Sequence, residues 1–496
     1  MKEPLMTQIM TESGAVEGFT ENGILTFLSV PYAAPIVPGN RFAAPQDITP
    51  WTGVRSAHRL GAVCPQIPTY GPVGKGATSI LDSGEDFLTL NIRSPGQEGK
   101  APVLVWLHGG GYAVGSGNEP LLQTGAFAAS GIVEVALNYR LGALGFLSLD
   151  GAPENRSLLD IIKALEWVQK HIALFGGDPE RVTLAGRSAG GFAVSTLMAM
   201  PAAKGLFSRT MIQSGATPAV LPYKDARLTT QRFLKRLGQP SLQILEEIPI
   251  HQLLAAQQDI CNQSYEQHDF TRDGRVTIVG IPFQPVIDSA SLPLDPETAA
   301  TQGLVTQVPV MIGTTSAEYL SHSSVHSHLT FADTTRLLDP RVQPLGLSGT
   351  DIVNRYRDAL PHHDPLGIWR AVAGDLVFQN PTTRYALALS KFQPVHKYLF
   401  GGIDPNETGA AHGDELANVW WRESYDRTTL PARYQAVDQE FSRIVHSLWC
   451  DFISRTEKFD KKWDRFSENN KAILSITQKR QSIEIDPFFP RCGLWD

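Results

Sequence analysis

A serine set between two glycines, Gly186-Arg187-Ser188-Ala189-Gly190, is the strongest chemical signal in the chain. It follows the β-forming run Val182-Thr183-Leu184-Ala185 and precedes a segment of helical character, Phe192 to Met200. Strand, sharp turn and helix together are the setting of a nucleophile elbow, in which the serine is held in a strained conformation at the tip of the turn. Its close neighbours have no room for side chains, a need that Gly186 and Gly190 meet. The helix start behind Ser188 offers unbonded N–H groups and a positive dipole end where negative charge would develop. Glycine is frequent here, 43 of 496 residues, so the bare pattern is weak and its context has to decide.

A serine hydroxyl is a poor nucleophile without a base, and the base needs an acid to orient it. Behind elbows of this kind the chain order is serine, then acid, then histidine, the last two following later strands. Val308 to Gly313 is a strand candidate, and Thr314-Thr315-Ser316-Ala317-Glu318 follows it, which makes Glu318 the acid candidate. The competing interpretation is a solvated loop carboxylate. Thirteen histidines compete for the base. His412 stands out because it lies in a glycine-rich loop, Thr408 to Glu415, beyond the strand candidate Val395–Phe400. His322, His326 and His328 form a cluster without an accompanying carboxylate or cysteine motif, so a solvated polar face is expected there and no metal.

The second strong signal is His108-Gly109-Gly110-Gly111-Tyr112, which ends the continuous apolar run Val103 to Leu107. Glycines after a buried strand let backbone N–H groups approach a ligand. Backbone N–H groups of this loop, with the N–H of Ala189, are therefore the expected donors of an oxyanion hole. Gly74-Lys75-Gly76 lacks the spacing of a phosphate loop.

The elements that must position these residues follow from the apolar pattern. Gln8 to Val16, Ile24 to Val30, Val103 to Leu107, Ile132 to Leu137, Thr210 to Gln213, Val308 to Gly313 and Val395 to Phe400 are predicted strands. Leu158 to Phe175 has apolar residues at helical spacing and stops at Gly176-Gly177. Phe441, Ile444, Val445, Leu448, Trp449, Phe452 and Ile453 trace one face of a late helix. Strands alternating with helices predict an α/β fold with a mostly parallel sheet covered on both faces. Residues 222–300 and 321–370 turn helical and polar, and are expected to be insertions above that sheet within a single domain spanning 1–496. Pro65 to Ser83, carrying Gly71, Gly74 and Gly76, is a loop.

Hydrophobic content of 42% and charged content of 19% are those of a globular protein with a large core. A net charge of −7 gives no reason to expect nucleic acid or an anionic membrane as partner. No apolar run approaches the length of a membrane span. The opening MKEPLMTQIMTESG has no long apolar stretch, so no signal peptide is expected. Cys64, Cys261, Cys450 and Cys492 are scattered and form no C-x-x-C pair, which points to reduced thiols in a cytoplasmic protein and to no zinc site. Asn155, Asn262 and Asn406 sit in N-x-S/T patterns, which carry no meaning without export.

Taken together, the motifs resemble those of the type-B carboxylesterases, the cholinesterase-like branch of the α/β-hydrolases, with bacterial para-nitrobenzyl esterases and carbamate-hydrolysing esterases the most similar. Val30-Pro31-Tyr32-Ala33 with Arg41-Phe42-Ala43-Ala44-Pro45 matches the family's N-terminal signature, and Glu85 to Asn91 matches its next one. Asn138-Tyr139-Arg140-Leu141-Gly142, Phe175-Gly176-Gly177-Asp178-Pro179, Gln213-Ser214-Gly215 and Trp495 also fit. The resemblance implies Ser188 as nucleophile, Glu318 as acid, His412 as base, and Gly110, Gly111 and Ala189 at the oxyanion hole. It departs from the family at Arg187, where a glutamate is usual, and at Ala317-Glu318-Tyr319, where Asp-Glu-Gly is common. The family's N-terminal disulfide would need a cysteine where this chain has Phe87, so Cys64 lacks its partner and the Pro65–Ser83 loop becomes a candidate lid.

The expectation is a cofactor-free serine hydrolase acting on small-molecule carboxylic esters through an acyl-enzyme. Tyr112, Phe283, Trp420 and Trp421 are candidate aromatic liners of its pocket, each equally compatible with ordinary core. A carbamate or amide hydrolase, or an acyl transferase or cyclase, would use the same triad. A non-catalytic adhesion member would typically have lost a triad residue, and this chain keeps all three.

Overall fold

The computed structural model describes residues 5–67, 83–288, 290–319, 328–402, 409–454, 463–479 and 481–496. Most of the candidate lid, together with His322, His326 and Asn406, lies outside them.

Among the described residues fifteen strands are formed: β1 (Leu5–Thr11), β2 (Gly14–Glu21), β3 (Ile24–Pro31), β4 (Val54–Ser56), β5 (Thr89–Ser94), β6 (Ala101–Leu107), β7 (Val133–Leu137), β8 (Gly177–Arg187), β9 (Arg209–Gln213), β10 (Leu221–Pro222), β11 (Val286–Ile287), β12 (Val310–Thr315), β13 (Val395–Phe400), β14 (Ala472–Ile476) and β15 (Gln481–Ile485). Thirteen of them make one sheet in the order β1-β2-β3-β5-β7-β6-β8-β9-β12-β13-β14-β15, with β4 beside β2. From β7 to β14 every neighbouring pair is parallel. The run β1-β2-β3-β5-β7 and the β14-β15 edge are antiparallel.

The expected strand Gln8–Val16 is two strands. The chain reverses at Glu12-Ser13, and Thr11 pairs with Gly14. The turn residues Glu12-Ser13-Gly14 break the apolar run and mark this reversal.

Side chains alternate across β6 as the two-residue period requires. Val103, Val105 and Leu107 join one core cluster; Leu104 and Trp106 join another on the opposite face. The helix Ala189–Met198 covers the first face with Phe192, Val194, Leu197 and Met198. The helix Gln439–Ser454 covers the second with Phe441, Val445, Trp449, Phe452 and Ile453, the stripe expected from their spacing. Each fully buried aliphatic or aromatic side chain in these layers contributes about 1.5–3 kcal/mol.

Between 222 and 300 the chain forms helices Tyr223–Arg236, Leu242–Glu247, Ile250–Glu266, Phe270–Asp273, Val276–Val279 and Pro296–Thr301. Phe331–Val342, Gly349–Ala359 and Pro365–Gly374 follow in the second helical stretch. Phe233, Leu253, Ile260, Ile352 and Tyr356 belong to the same cluster as the sheet's first face. Asn155, buried, accepts from the Val286 N–H (2.7 Å) and donates to the Val286 carbonyl (2.8 Å), so its amide is occupied in pinning the short β10–β11 pair. Among the described residues no helix is long and apolar enough to cross a membrane.

Candidate active site

Parallel strands deliver their following loops to one edge of the sheet, and β6, β8, β9, β12 and β13 bring all the candidate groups there. Ser188 caps β8 with φ 58° and ψ −123°, a conformation costly for any residue with a side chain. Its N–H donates to the Gln213 carbonyl (2.9 Å), and its own carbonyl accepts from Phe192 N–H (2.9 Å), which fixes the turn. Gly190 lies against the Leu107 and His108 carbonyls so closely that a Cβ would strike both, and this contact brings the elbow up to the end of β6. Among the described residues the Ser188 hydroxyl has no hydrogen-bond partner; the side chain is half-buried.

The glycine loop after β6 turns through Gly110 at φ 115° and Gly111 at φ 59°. The carbonyl of Gly110 accepts from Ala113 and Val114. The N–H groups of Gly110, Gly111 and Ala189 donate to no acceptor among the described residues. For Ala189 this follows from its place at the first position of a helix. His108, stacked on Tyr139 at 4.3 Å, receives a hydrogen bond at its carbonyl from the Tyr139 hydroxyl (2.6 Å). Burial pushes its imidazole down to about 4, so it is a neutral support of the loop.

Glu318 follows β12 and is 2% exposed. One carboxylate oxygen accepts from the Ser214 hydroxyl (2.6 Å) and the Thr315 N–H (2.9 Å); the other meets His412 Nδ1 at 2.5 Å. Burial alone would raise this carboxyl. The charge of His412 and the bonds from His412, Ser214 and Thr315 outweigh it and hold the group below the usual carboxylate range. Burial, and then the charge of Arg187, push His412 below the usual histidine range against the pull of Glu318 and Asp414. With Nδ1 occupied by a carboxylate, Nε2 is left as the working nitrogen. Among the described residues no hydrogen bond joins it to Ser188, a looseness common before substrate arrives.

Four contributors were not picked out from sequence for roles here. Ser214, quoted only within a motif, buttresses Glu318. Phe378 lays its ring 4.8 Å from that of His412. It sits in a five-residue π-helical turn, Asp375–Gln379, and such turns recur at functional sites. Gln379 of the same turn donates to the Thr315 carbonyl (2.7 Å) and accepts from the Thr314 hydroxyl (2.5 Å), fastening the turn to β12. Glu415, fully buried, is pushed up to about 7 by burial, accepts from Gln213, and has one oxygen without a partner.

Of the proposed pocket liners, Tyr112, Phe283 and Trp420 have core packing, with exposures of 0, 1 and 1%. Tyr112 packs on Phe146, Phe283 on Phe233, and Trp420 edge-on between Trp106 and Phe127. Trp421 is 8% exposed. All four cysteines are unbridged; Cys64 is buried and accepts from the Leu141 N–H (3.3 Å). Among the described residues no group of three or more His, Cys, Asp or Glu is placed to hold a metal.

A parallel-centred sheet with a serine elbow, a glycine loop and a histidine–carboxylate pair at one edge defines an α/β-hydrolase that cleaves carboxylic esters through a serine. Residues 6–495 match the Carboxylesterase family, and the chain belongs to it. It is 34% identical to the para-nitrobenzyl esterase of Bacillus subtilis (strain 168), over 97% of this chain and 96% of the relative. It is 30% identical to the phenmedipham hydrolase of Pseudarthrobacter oxydans, over 96% of each. The solved structure of a PNB esterase superposes with a TM-score of 0.82 at 30% identity, covering 99% of this chain and all of the other. A carboxylesterase of Geobacillus stearothermophilus gives 0.83 at 28% identity over 99% and 100%.

Proposed function

We propose that Ser188, His412 and Glu318 are the catalytic triad, that Gly110, Gly111 and Ala189 form the oxyanion hole, and that the substrates are small carboxylic esters. The observation that carries this assignment is the Glu318–His412 contact of 2.5 Å at the sheet edge that also holds the elbow serine. His412 Nε2 takes the hydroxyl proton of Ser188 as the oxygen attacks the ester carbonyl. Glu318 keeps the ring in the tautomer with Nδ1–H and stabilises the imidazolium. The three unengaged N–H groups receive the developing oxyanion. The intermediate collapses, His412 protonates the departing alcohol, and water repeats the sequence to release the acid. No step calls on a cofactor.

The whole chain acts as one domain in this proposal, with the helices of 222–300 and 321–370 as insertions bordering the pocket. The unbridged cysteines favour a cytoplasmic setting. The test is covalent labelling by a fluorophosphonate. Ser188→Ala should abolish both labelling and turnover of a p-nitrophenyl ester, a loss of several orders of magnitude. Full labelling of the variant would place the nucleophile elsewhere.

A further inference from the structure

Arg187 stands beside the nucleophile where the family usually has an acid, and its surroundings are unusual for a guanidinium. Among the described residues it makes one hydrogen bond, from Nη2 to the carbonyl of His412 (2.8 Å). Its Nε is buried without an acceptor. Among the described residues no carboxylate oxygen lies within 4 Å of it. Glu119, Asp414 and Glu415 feel its charge from further away, and burial pushes all three above the usual carboxylate range, toward their neutral forms. Arg433 adds a second cation near Glu119 and Asp414.

Position matters as much as charge. A Cβ built on Gly109 would meet the Arg187 carbonyl at 2.8 Å, Ser188 Cβ at 3.2 Å and Arg187 Nη1 at 3.4 Å, so this nitrogen lies close to the nucleophile where the glycine loop meets the elbow. On the other side the guanidinium lies against Gly413, so closely that a Cβ there would strike it. Nη1 has no acceptor among the described residues, and it is not among the buried unsatisfied atoms. A half-buried cation with an open N–H, held next to the reacting centre and unmatched by a nearby carboxylate, is suited to receive an anion from outside.

We propose that Arg187 is a substrate-recognition residue whose open Nη1 takes a carboxylate carried by the ester, so that the enzyme prefers anionic esters and discriminates against cationic ones. This rests on Ser188 being the nucleophile. An interaction between unit charges several ångströms apart at a protein surface corresponds to roughly tenfold in kcat/KM, appearing mainly in KM.

The experiment measures kcat/KM for matched esters in the wild type, Arg187→Lys and Arg187→Gln. One series carries the charge on the alcohol side: phenyl butyrate, its carboxylate-bearing analogue and its trimethylammonium analogue. The other carries it on the acyl side: p-nitrophenyl butyrate and the p-nitrophenyl hemiester of glutaric acid. Within each protein the charged rate is divided by the neutral one, so changes in general catalytic power cancel. The expected result is an anion-to-neutral ratio of roughly tenfold in the wild type, with the cation below the neutral ester, shrinking at high salt, kept in part by Arg187→Lys and erased in Arg187→Gln. The series that shows it locates the carboxylate on the alcohol or the acyl side. A wild-type ratio below about twofold in both series overturns the proposal, as does a ratio that survives in Arg187→Gln. If the variants do not fold, the wild-type ratio and its salt dependence still decide. Failure here with neutral esters turned over, and that turnover lost in Ser188→Ala, would leave the triad standing. No turnover of any ester would bring down the triad instead.

Discussion

Two sites at the same sheet edge handle charge in opposite ways. Beyond β7, Arg140 is fully buried and fully engaged. Nε and Nη2 grip Asp160 at 2.8 and 2.6 Å, and Nη1 donates to the carbonyls of Arg41 and Ala43. Asp160 also accepts from the Arg140 N–H. This cluster gathers two stretches of the sequence that carried the family resemblance, Arg41–Pro45 and Asn138–Gly142, and it joins the N-terminal irregular segment to the helix Arg156–His171. One sheet position across from β6, the end of β8 holds Arg187 with a single hydrogen bond and no ion pair among the described residues. Buried charge is normally tolerated only when paired, because desolvation costs several kcal/mol per ion. Arg140 meets that condition and stiffens the floor. Arg187 does not, and an unmatched charge beside a nucleophile is what substrate or protons can feel. Glu318 and His412 lie between these extremes: buried and tightly bonded, yet able to exchange charge during turnover.

The largest expected effect distinguishes that intermediate pair from the floor. Glu318→Gln keeps the shape but removes the charge that supports the imidazolium, and should lower kcat by roughly 10²–10⁴ with little change in the urea midpoint. A drop below about threefold would move the acid role to another carboxylate, Asp414 first. Arg140→Ala should do the reverse. It strands Asp160 as an unpaired buried charge, at a cost of about 3–5 kcal/mol of folding stability. An unfolding free energy within 1 kcal/mol of wild type would mean that the clamp is not what holds the floor.

A smaller effect is expected at Ser214, which is neither charged nor reactive. Its hydroxyl donates to Glu318 at 2.6 Å, and a bond to a charged acceptor contributes about 1.5–3 kcal/mol. Ser214→Ala should therefore reduce kcat by roughly tenfold, leaving KM for a neutral ester nearly constant. A change in KM alone would show that Ser214 shapes the pocket and not the charge on Glu318.

These contrasts also mark what could be read from the sequence. The elbow, the glycine loop and the strands β6, β9, β12 and β13 were legible because buried parallel strands are apolar runs ended by glycine or turn residues. β5 was not, although it is central and buried. Its Thr89, Asn91 and Arg93 look unlike core. Asn91 reaches from the strand to the Ser29 N–H, the Gly117 carbonyl and Asn118, so its polarity is spent on fastening loops. The π-helical turn that sets Phe378 on His412 has the sequence of an ordinary helix; a one-residue slip in hydrogen bonding leaves no trace in residue types. The motif at Arg140 was visible, but only the fold reveals that this residue grips Asp160. For Arg187 the sequence announced the charge and left open whether a carboxylate neutralises it. None of the described ones comes within bonding distance.

The smallest and most specific effect concerns protons. His412 acts as base only when neutral, so kcat/KM falls on the acid side as the ring takes up a proton. Burial and the Arg187 charge both disfavour the imidazolium, while Glu318 and Asp414 favour it; the balance lies below the usual histidine range. Activity should therefore persist to lower pH than an ordinary histidine would allow. Arg187→Gln retains an amide N–H for the His412 carbonyl and deletes only the charge. The His412 pKa should rise, and the acid limb on a neutral ester should move to higher pH; Arg187→Glu should move it further. Glu415, held at about 7 by burial and drawn down by Arg187, could titrate in the same window, and Glu119 also faces the guanidinium. Repeating the profiles with Glu415→Gln in both backgrounds separates the two. A limb that still shifts when Glu415 is glutamine identifies His412 as the group that feels Arg187. A limb that stays put, or moves to lower pH, would mean that the unpaired guanidinium is screened from the base, and the contrast with Arg140 would reduce to one of hydrogen bonding.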